Sequence, residues 1–90
     1  MTEKEKSDTL ELAIFRRGEK QQLIKALEEL SELSVEIAKA ANGDLRLKKL
    51  TEEIADAEIM IEQVKRICGA DAAMIEQFKD YKIHRLSLNL

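Results

Sequence analysis

Two long amphipathic segments joined by only three residues constrain this chain most. In each segment apolar residues recur at alternating steps of four and three, the spacing of one face of an α-helix. The connection is Asn42-Gly43-Asp44, in which Gly43 can take the left-handed conformation that ends a helix. Helices joined this closely run antiparallel. The sequence therefore predicts a helical hairpin about 30 Å or more in length, from the rise per residue of a helix.

The apolar stripe of each segment predicts which side chains the hairpin buries. The two stripes consist of Leu23, Leu27, Leu30, Ser34, Ile37 and Ala41 in the first segment, widened by Ala26 and Leu33, and of Leu50, Ile54, Ala57, Ile61, Val64 and Cys68 in the second. On this basis Cys68 is a small buried hydrophobic residue.

Shorter helices are expected on both sides of the hairpin. Gly18 ends the helix before it, and Gly69 separates it from the helix after it. The candidate N-caps are Ser7 and Asp8 for the first helix, Asp44 for the third and Asp71 for the last. We expect the tail, residues 87–90, to fray.

Composition supports an all-α fold. The chain has no proline, three glycines and 3% aromatic residues, whereas a β-rich fold needs turn residues and β-formers. Ninety residues suffice for one core. We therefore expect one helical domain over 1–90, with an N-terminal helix or arm over 1–17 and a core over 18–86. Because aromatic mass is scarce, we expect a second copy to cover the hairpin, giving a four-helix bundle core in a homodimer or a dimer of dimers.

Charge and hydropathy exclude two classes of partner. A net charge of −3 and a pI near 5.2 lack the basic surface of a nucleic-acid binder. No uncharged apolar run approaches the roughly 18 residues of a membrane span. We expect neither nucleic acid nor membrane as a partner. The charged first ten residues and the single cysteine favour a cytoplasmic location.

Acidic residues occupy unexpected positions on the hairpin. Glu53 falls inside the apolar arc of its helix, and Asp56 lies at the margin of the same arc. Glu29 and Glu32 repeat this i, i+3 spacing on the other helix. Neighbouring buried carboxylates need protonation or a shared counter-ion. Oxygen ligands without clustered histidine or cysteine favour Mg²⁺, or Mn²⁺, and Mg²⁺ at carboxylates commonly completes its shell with substrate phosphates.

A solvated acidic face is the alternative interpretation. At i, i+4 spacing Lys25 can pair with Glu29, and Lys49 with Glu53, as on many exposed helices. The protein would then be a non-enzymatic helical dimerisation or adaptor module. That hypothesis predicts an exposed Glu53 and a thermal midpoint that Mg²⁺ does not change.

Both acidic pairs belong to a longer pattern. Glu28-Glu29-Leu30-Ser31-Glu32, then twenty residues, then Glu53-Ile54-Ala55-Asp56, resembles the EExxE...ExxD signature of the MazG-like all-α nucleoside triphosphate pyrophosphohydrolases. The similarity covers roughly residues 18–86. It implies Mg²⁺-dependent hydrolysis between the α and β phosphates of a nucleoside triphosphate, giving a nucleoside monophosphate and pyrophosphate. A degenerate member would bind nucleotide without turnover.

The resemblance also implies roles for individual residues. Its metal ligands correspond to Glu29, Glu32, Glu53 and Asp56. Either Glu29 or Glu32 would orient or deprotonate the attacking water. Candidates for contact with substrate are Glu28, which matches the leading glutamate of the motif, Gln22 near the base or sugar, and Lys79, Lys82 and Arg85 at phosphate oxygens. For Gln22 and the three cationic residues, the alternative interpretation is an ordinary exposed side chain without contact to substrate.

Overall fold

The chain is entirely helical in the computed structural model, which describes residues 1–90. The four helices are α1 (Glu3–Arg17), α2 (Glu19–Ala41), α3 (Leu47–Cys68) and α4 (Ala72–Leu88). The all-α prediction is therefore confirmed. None of the four helices combines the length with the apolar run that a membrane-spanning segment needs.

Helices α2 and α3 form the predicted antiparallel hairpin. Gln22, near the start of α2, is hydrogen-bonded to Gln63, near the end of α3. At the opposite end, the connection between the helices contains Gly43, whose φ of 86° is the positive value that favours glycine. Asn42 closes α2 by donating from its side-chain Nδ2 to the carbonyl oxygen of Ala38 at 2.9 Å.

Helix α1 packs against both arms of the hairpin. Arg66 of α3 holds it there, because its Nη1 donates to the carbonyl oxygen of Ser7 at 3.0 Å and to Oε1 of Glu11 at 3.1 Å. Its Nε donates to Glu62 one turn earlier in α3 at 3.2 Å. One guanidinium thus joins α1 to the end of the hairpin.

Two predicted N-caps are wrong. Helix α1 begins before Ser7 and Asp8, because Thr2 and Glu5 form a capping box in which each accepts a hydrogen bond from the backbone N–H of the other. Asp44 does not cap α3, which begins at Leu47 with Arg46 in the N-cap position and no side-chain cap.

The last helix begins as predicted but continues further than predicted. Oδ1 of Asp71 accepts a hydrogen bond from the backbone N–H of Ala73 at 2.9 Å, so this cap is confirmed. The expected fraying from residue 87 is wrong, since α4 continues to Leu88 and Asn89 closes it through a side-chain hydrogen bond to the carbonyl of Arg85.

The contact between α2 and α3 is largely polar, and we call its fully buried residues the polar seam. They are Gln22, Ala26, Glu29 and Glu36 of α2, and Glu53, Ala57, Met60 and Gln63 of α3. No other residues of the chain are as buried. Five of these eight are polar or charged, and two of them join the arms of the hairpin, Gln22 through Gln63 and Glu36 through Arg46.

The prediction that the apolar stripes fill the hairpin is wrong for most of their length. Leu27 is 67% exposed and Ile37 is 53% exposed. Each follows a seam residue by one position, which turns its side chain about 100° around the helix. Of the second stripe only Ala57 is fully buried, and Cys68, expected to be buried, is exposed.

Helix α4 packs against none of the other three helices to any extent. No residue of α4 is fully buried, and Met74, Phe78 and Tyr81 are each more than half exposed. The fold that positions the acidic residues is therefore the α2–α3 hairpin with α1 across one end.

Candidate metal centre

Three of the predicted ligands meet at the middle of the hairpin. Glu29 of α2 faces Glu53 and Asp56 of α3, and one carboxylate oxygen from each lies within 4.8 Å of the other two. We call these three residues the acidic cluster. Glu53 is 2% exposed, Glu29 is 8% exposed and Asp56 is open to solvent. The i, i+3 spacing of Glu53 and Asp56 on α3 places both carboxylates toward α2.

The two buried carboxylates are only half satisfied. Oε1 of Glu29 lies 2.9 Å from Nζ of Lys25, and Oε1 of Glu53 lies 2.9 Å from Nζ of Lys49. In both residues Oε2 is buried without a hydrogen-bond partner. A buried acceptor left unpaired costs about 1–3 kcal/mol, and more when it is charged. Two such atoms in one cluster are a donor set suited to a cation.

Glu32 lies beside the cluster and is exposed. The negative charges of Glu29 and Glu53, one turn away on α2 and across the hairpin, raise the pKa of its carboxyl group above the ordinary value. Its carboxylate is not among the three whose oxygens lie within 4.8 Å of one another, so the fourth predicted ligand lies outside the acidic cluster.

The lysines beside the cluster also have raised pKa values, which for an ammonium group favours the charged form. Hydrogen bonding to Glu29 raises the pKa of Lys25, and hydrogen bonding to Glu53 raises that of Lys49. Both ammonium groups are about half exposed. Each lysine therefore neutralises one buried carboxylate from one turn earlier in the same helix, yet remains free to move into solvent.

A small cleft opens the cluster to solvent. It is lined by Lys25, Glu29, Asp56, Ile59 and Met60. Next to it, a broader groove runs along the first turns of α2 to the end of α1. That groove is lined by Arg17, Gln21, Gln22, Ile24, Lys25 and Glu28. Lys25 belongs to both, so the acidic cleft borders a groove that carries cations.

Polar pairs fix the hairpin on either side of the cluster. Gln22 Nε2 donates to Gln63 Oε1 within the seam. Glu36 accepts from both Nε and Nη2 of Arg46, which keeps the pKa of this carboxyl group below its ordinary value. The cluster therefore sits between two hydrogen-bonded ties that set how the two helices align.

The structure does not bring every predicted residue to the cluster. Lys79, Lys82 and Arg85 lie on α4, away from the hairpin; Lys79 pairs with Glu76 at 3.3 Å, and the guanidinium of Arg85 lies 5.7 Å from the centre of the Tyr81 ring. Glu28 is exposed at the rim of the groove.

Gln22 is buried, with 3% of its surface exposed, so the alternative that it is an ordinary exposed glutamine is wrong. Its partner Gln63 lies 41 positions along the chain, and nothing in the local sequence indicates the pair. Arg17 is the other residue that the sequence did not single out. It lines the same groove as Lys25, and its position before the helix-breaking Gly18 is the one local feature that the sequence offers.

Comparison with known proteins adds no assignment. No protein-family model matches the chain, and no match is found among curated proteins or solved structures.

Proposed function

We propose that this protein is a Mg²⁺-dependent nucleoside triphosphate pyrophosphohydrolase, and that Mn²⁺ can replace Mg²⁺. The observation that carries the proposal is the pair of buried, unpartnered oxygens of Glu29 and Glu53 in one cluster with Asp56. A structural ion pair needs no such surplus of negative charge. The motif resemblance supplies the substrate class, since the same residues match its EExxE...ExxD signature.

The cluster residues and Glu32 would hold the ion. When bound, a divalent cation supplies charge neutralisation for the triphosphate and makes the attacking water more acidic. Carboxylate oxygens without histidine or cysteine favour a hard ion over zinc. Asp56 and Glu32 are the open members of the set, so they face the side from which a nucleotide would arrive.

The chain's own residues would orient the reactants. Glu32 is better placed than the buried Glu29 to orient or deprotonate water, because it is exposed beside the cluster. Water would attack the α-phosphorus, and the bond to the bridging oxygen would break to release pyrophosphate. Lys25 and Arg17 line the adjoining groove and are the nearest candidates to contact phosphate oxygens. We propose a homodimer or a dimer of dimers as the active assembly.

Pyrophosphate release tests this proposal. Purified protein is incubated with each common NTP and dNTP and with Mg²⁺ or Mn²⁺, and pyrophosphate and orthophosphate are measured separately. At least one nucleotide should yield pyrophosphate and no orthophosphate. Glu53→Gln should lose more than the roughly 10–100-fold that removal of an outer partner of a metal site costs. Glu52→Gln is the matched control, because Glu52 is the adjacent glutamate on the same helix and is exposed. A panel without pyrophosphate refutes the enzyme assignment.

The adaptor hypothesis remains the second candidate because the hairpin exposes much apolar surface. Its prediction of an exposed Glu53 does not agree with the 2% exposure of that residue. Thermal melting distinguishes the candidates further: a metal site is stabilised by millimolar Mg²⁺ through mass action, whereas a solvated acidic face is not. Stabilisation without pyrophosphate release is the result expected of a degenerate member that binds nucleotide without turnover.

A further inference from the structure

Two lysines hold the two buried glutamates of the acidic cluster in the same way. Nζ of Lys25 lies 2.9 Å from Oε1 of Glu29, and its side chain is 47% exposed. Nζ of Lys49 lies 2.9 Å from Oε1 of Glu53, and its side chain is 50% exposed. Each lysine precedes its glutamate by four positions, so it lies one turn earlier on the same helix. As counter-ions of the cluster, the two lysines are therefore equivalent.

The two lysines differ in the surface that lies beyond the cluster. Because α2 and α3 are antiparallel, the two side chains approach the cluster from opposite ends of the hairpin. Lys25 lines both the acidic cleft and the groove that also holds Arg17. Lys49 lines neither of them. It borders a separate hollow at the start of α3, which is lined by Arg46, Leu47, Lys48, Lys49 and Glu52. Only Lys25 can therefore turn from the cluster into the groove.

The groove has the size of a ligand site but little net charge. Its volume is about 460 Å³, within the roughly 300–1,000 Å³ of small-molecule sites. While Lys25 is paired with Glu29, the charged groups that remain to the groove are Arg17 and Glu28, which have opposite signs. An anion in the groove gains little from such a pair. Entry of the Lys25 ammonium group would make the groove positive.

Metal binding at the cluster would remove the reason for Lys25 to stay there. Glu29 and Glu53 each keep one buried oxygen without a hydrogen-bond partner, and these oxygens are available to a cation. Once Glu29 serves as a metal ligand, its negative charge is shared with the ion, and the ammonium group of Lys25 is next to a second positive charge. Like charges at this distance repel each other. The half-exposed Lys25 side chain is free to turn away.

We infer that Lys25 couples cation binding at the acidic cluster to polyphosphate binding in the adjoining groove. Without metal its ammonium group pairs with Glu29; when Glu29 is a metal ligand, the ammonium group turns into the groove and contacts phosphate oxygens beside Arg17. The inference rests on the proposed function, which supplies the metal and the triphosphate. Each ligand then increases the affinity of the protein for the other by the same factor.

Titration calorimetry with Mg²⁺ and inorganic tripolyphosphate tests this coupling without a nucleotide. Lys25→Met removes the ammonium group from Glu29, and Lys49→Met is the matched control because it removes the equivalent group from Glu53. With Mg²⁺ alone, both variants should bind the ion more tightly than the wild type, since each loses a competing cation. At saturating Mg²⁺, Lys25→Met should bind tripolyphosphate about tenfold or more weakly, the loss expected for one hydrogen bond between charged groups. Lys49→Met should stay within about threefold of the wild type.

Opposite effects of Lys25→Met on the two ligands distinguish coupling from a structural role. A lysine that only neutralises Glu29 would change the affinity for Mg²⁺ and leave that for tripolyphosphate as it is in Lys49→Met. Equal tripolyphosphate affinities in the two variants therefore overturn the inference. So does weaker Mg²⁺ binding by Lys25→Met. If Lys25→Met does not fold, Lys25→Gln replaces it, because its amide still donates to Glu29 but brings no positive charge to the groove.

The result is separate from that of the pyrophosphohydrolase proposal. Pyrophosphate release from nucleotides, together with wild-type tripolyphosphate affinity in Lys25→Met, upholds the enzyme assignment and overturns the coupling. The expected pattern in the two lysine variants, without pyrophosphate release, supports the coupling in a protein that binds its ligand without turnover. A wild type that binds no Mg²⁺ overturns both.

Discussion

We expect Glu53→Gln to be more stable than the wild type in the absence of Mg²⁺ and less stable than the wild type in its presence. The substitution keeps the shape of the side chain and the acceptor that faces Lys49, but it removes a buried negative charge. It also converts the unpartnered Oε2 into an amide group able to donate to the neighbouring carboxylates. Without metal, the variant therefore loses few favourable contacts. It also removes a buried charge and the repulsion between that charge and the neighbouring carboxylates.

The magnitude follows from that unpaired oxygen. A buried unsatisfied acceptor costs about 1–3 kcal/mol. The half-exposed Lys49 recovers little of this, because ion pairs open to solvent contribute weakly. We expect Glu53→Gln to be more stable than the wild type by about 1–2 kcal/mol in chelator, where 1 kcal/mol corresponds to roughly 4–8 °C in Tm. Mg²⁺ at about 100 times its Kd should stabilise the wild type by about 2.7 kcal/mol and the variant far less.

Urea unfolding followed by far-UV circular dichroism, with EDTA or with Mg²⁺, measures both effects. Glu52→Gln controls for the loss of one charge on α3, and should lie within about 0.5 kcal/mol of the wild type in both buffers. If Glu53→Gln is the less stable protein in EDTA as well, Glu53 is a structural partner of Lys49 and the reasoning is wrong. An equal Mg²⁺ effect on both proteins would be just as damaging.

Three further predictions concern the residues around the cluster. Because Arg46 lowers the pKa of Glu36, Glu36→Gln should destabilise the protein at pH 7. The difference in stability should shrink once pH falls below the ordinary value of 4.5 and be lost as pH falls through the lowered folded-state pKa; a difference that stays constant across this acid range would contradict this. Gln63→Ala should cost about 1–3 kcal/mol by leaving the Gln22 amide unpaired, whereas the double replacement by leucine should cost less than the sum of the single ones in urea unfolding. Lys25→Met should lower the Mg²⁺ concentration that half-saturates the thermal shift, because it removes a cation that competes for Glu29; an unchanged concentration would exclude that competition.

At pH 7, Glu32→Gln should change the stability of the protein in the opposite direction to Glu36→Gln. Glu32 has a raised pKa, so in EDTA its ionisation destabilises the fold as pH rises through that pKa. Glu32→Gln should therefore be the more stable protein at pH 7 and equal to the wild type at low pH. A Glu32→Gln protein that loses stability at pH 7 would contradict the repulsion inferred at the cluster.

The sequence predicted the helices better than it predicted their faces. Gly18, Gly43 and Gly69 mark breaks that follow from backbone conformation and can be recognised locally, and all three have positive φ values. Burial of Glu53 was also predictable, because a charge inside an apolar arc is conspicuous. The orientation of the helices was not, since a 3.6-residue period fits several adjacent faces equally well. Which face of each helix is buried in the seam depends on partners that are distant in sequence, such as Gln63 for Gln22.

At the acidic cluster too, the sequence predicted the spacing within each helix but not the contacts between helices. The i, i+3 spacings placed Glu29 and Glu32, and Glu53 and Asp56, on common faces, and the structure brings three of these carboxylates together. The role of Lys25 as a counter-ion at the cleft depends on burial of Glu29, which one helix considered alone does not reveal.

Helix α4 is the helix of this chain with the least tertiary packing. Its seventeen residues are held by their own backbone hydrogen bonds and the Asp71 cap, with no packed surface beneath them. Most of the stability of helices in proteins comes from tertiary packing, which α4 lacks. In an isolated chain its amide hydrogens should exchange with solvent long before those of α2, and its boundary at Gly69 should be the point of protease entry. Protection of α4 would thus report on what the chain is bound to, while protection of α2 would report on the stability of the hairpin.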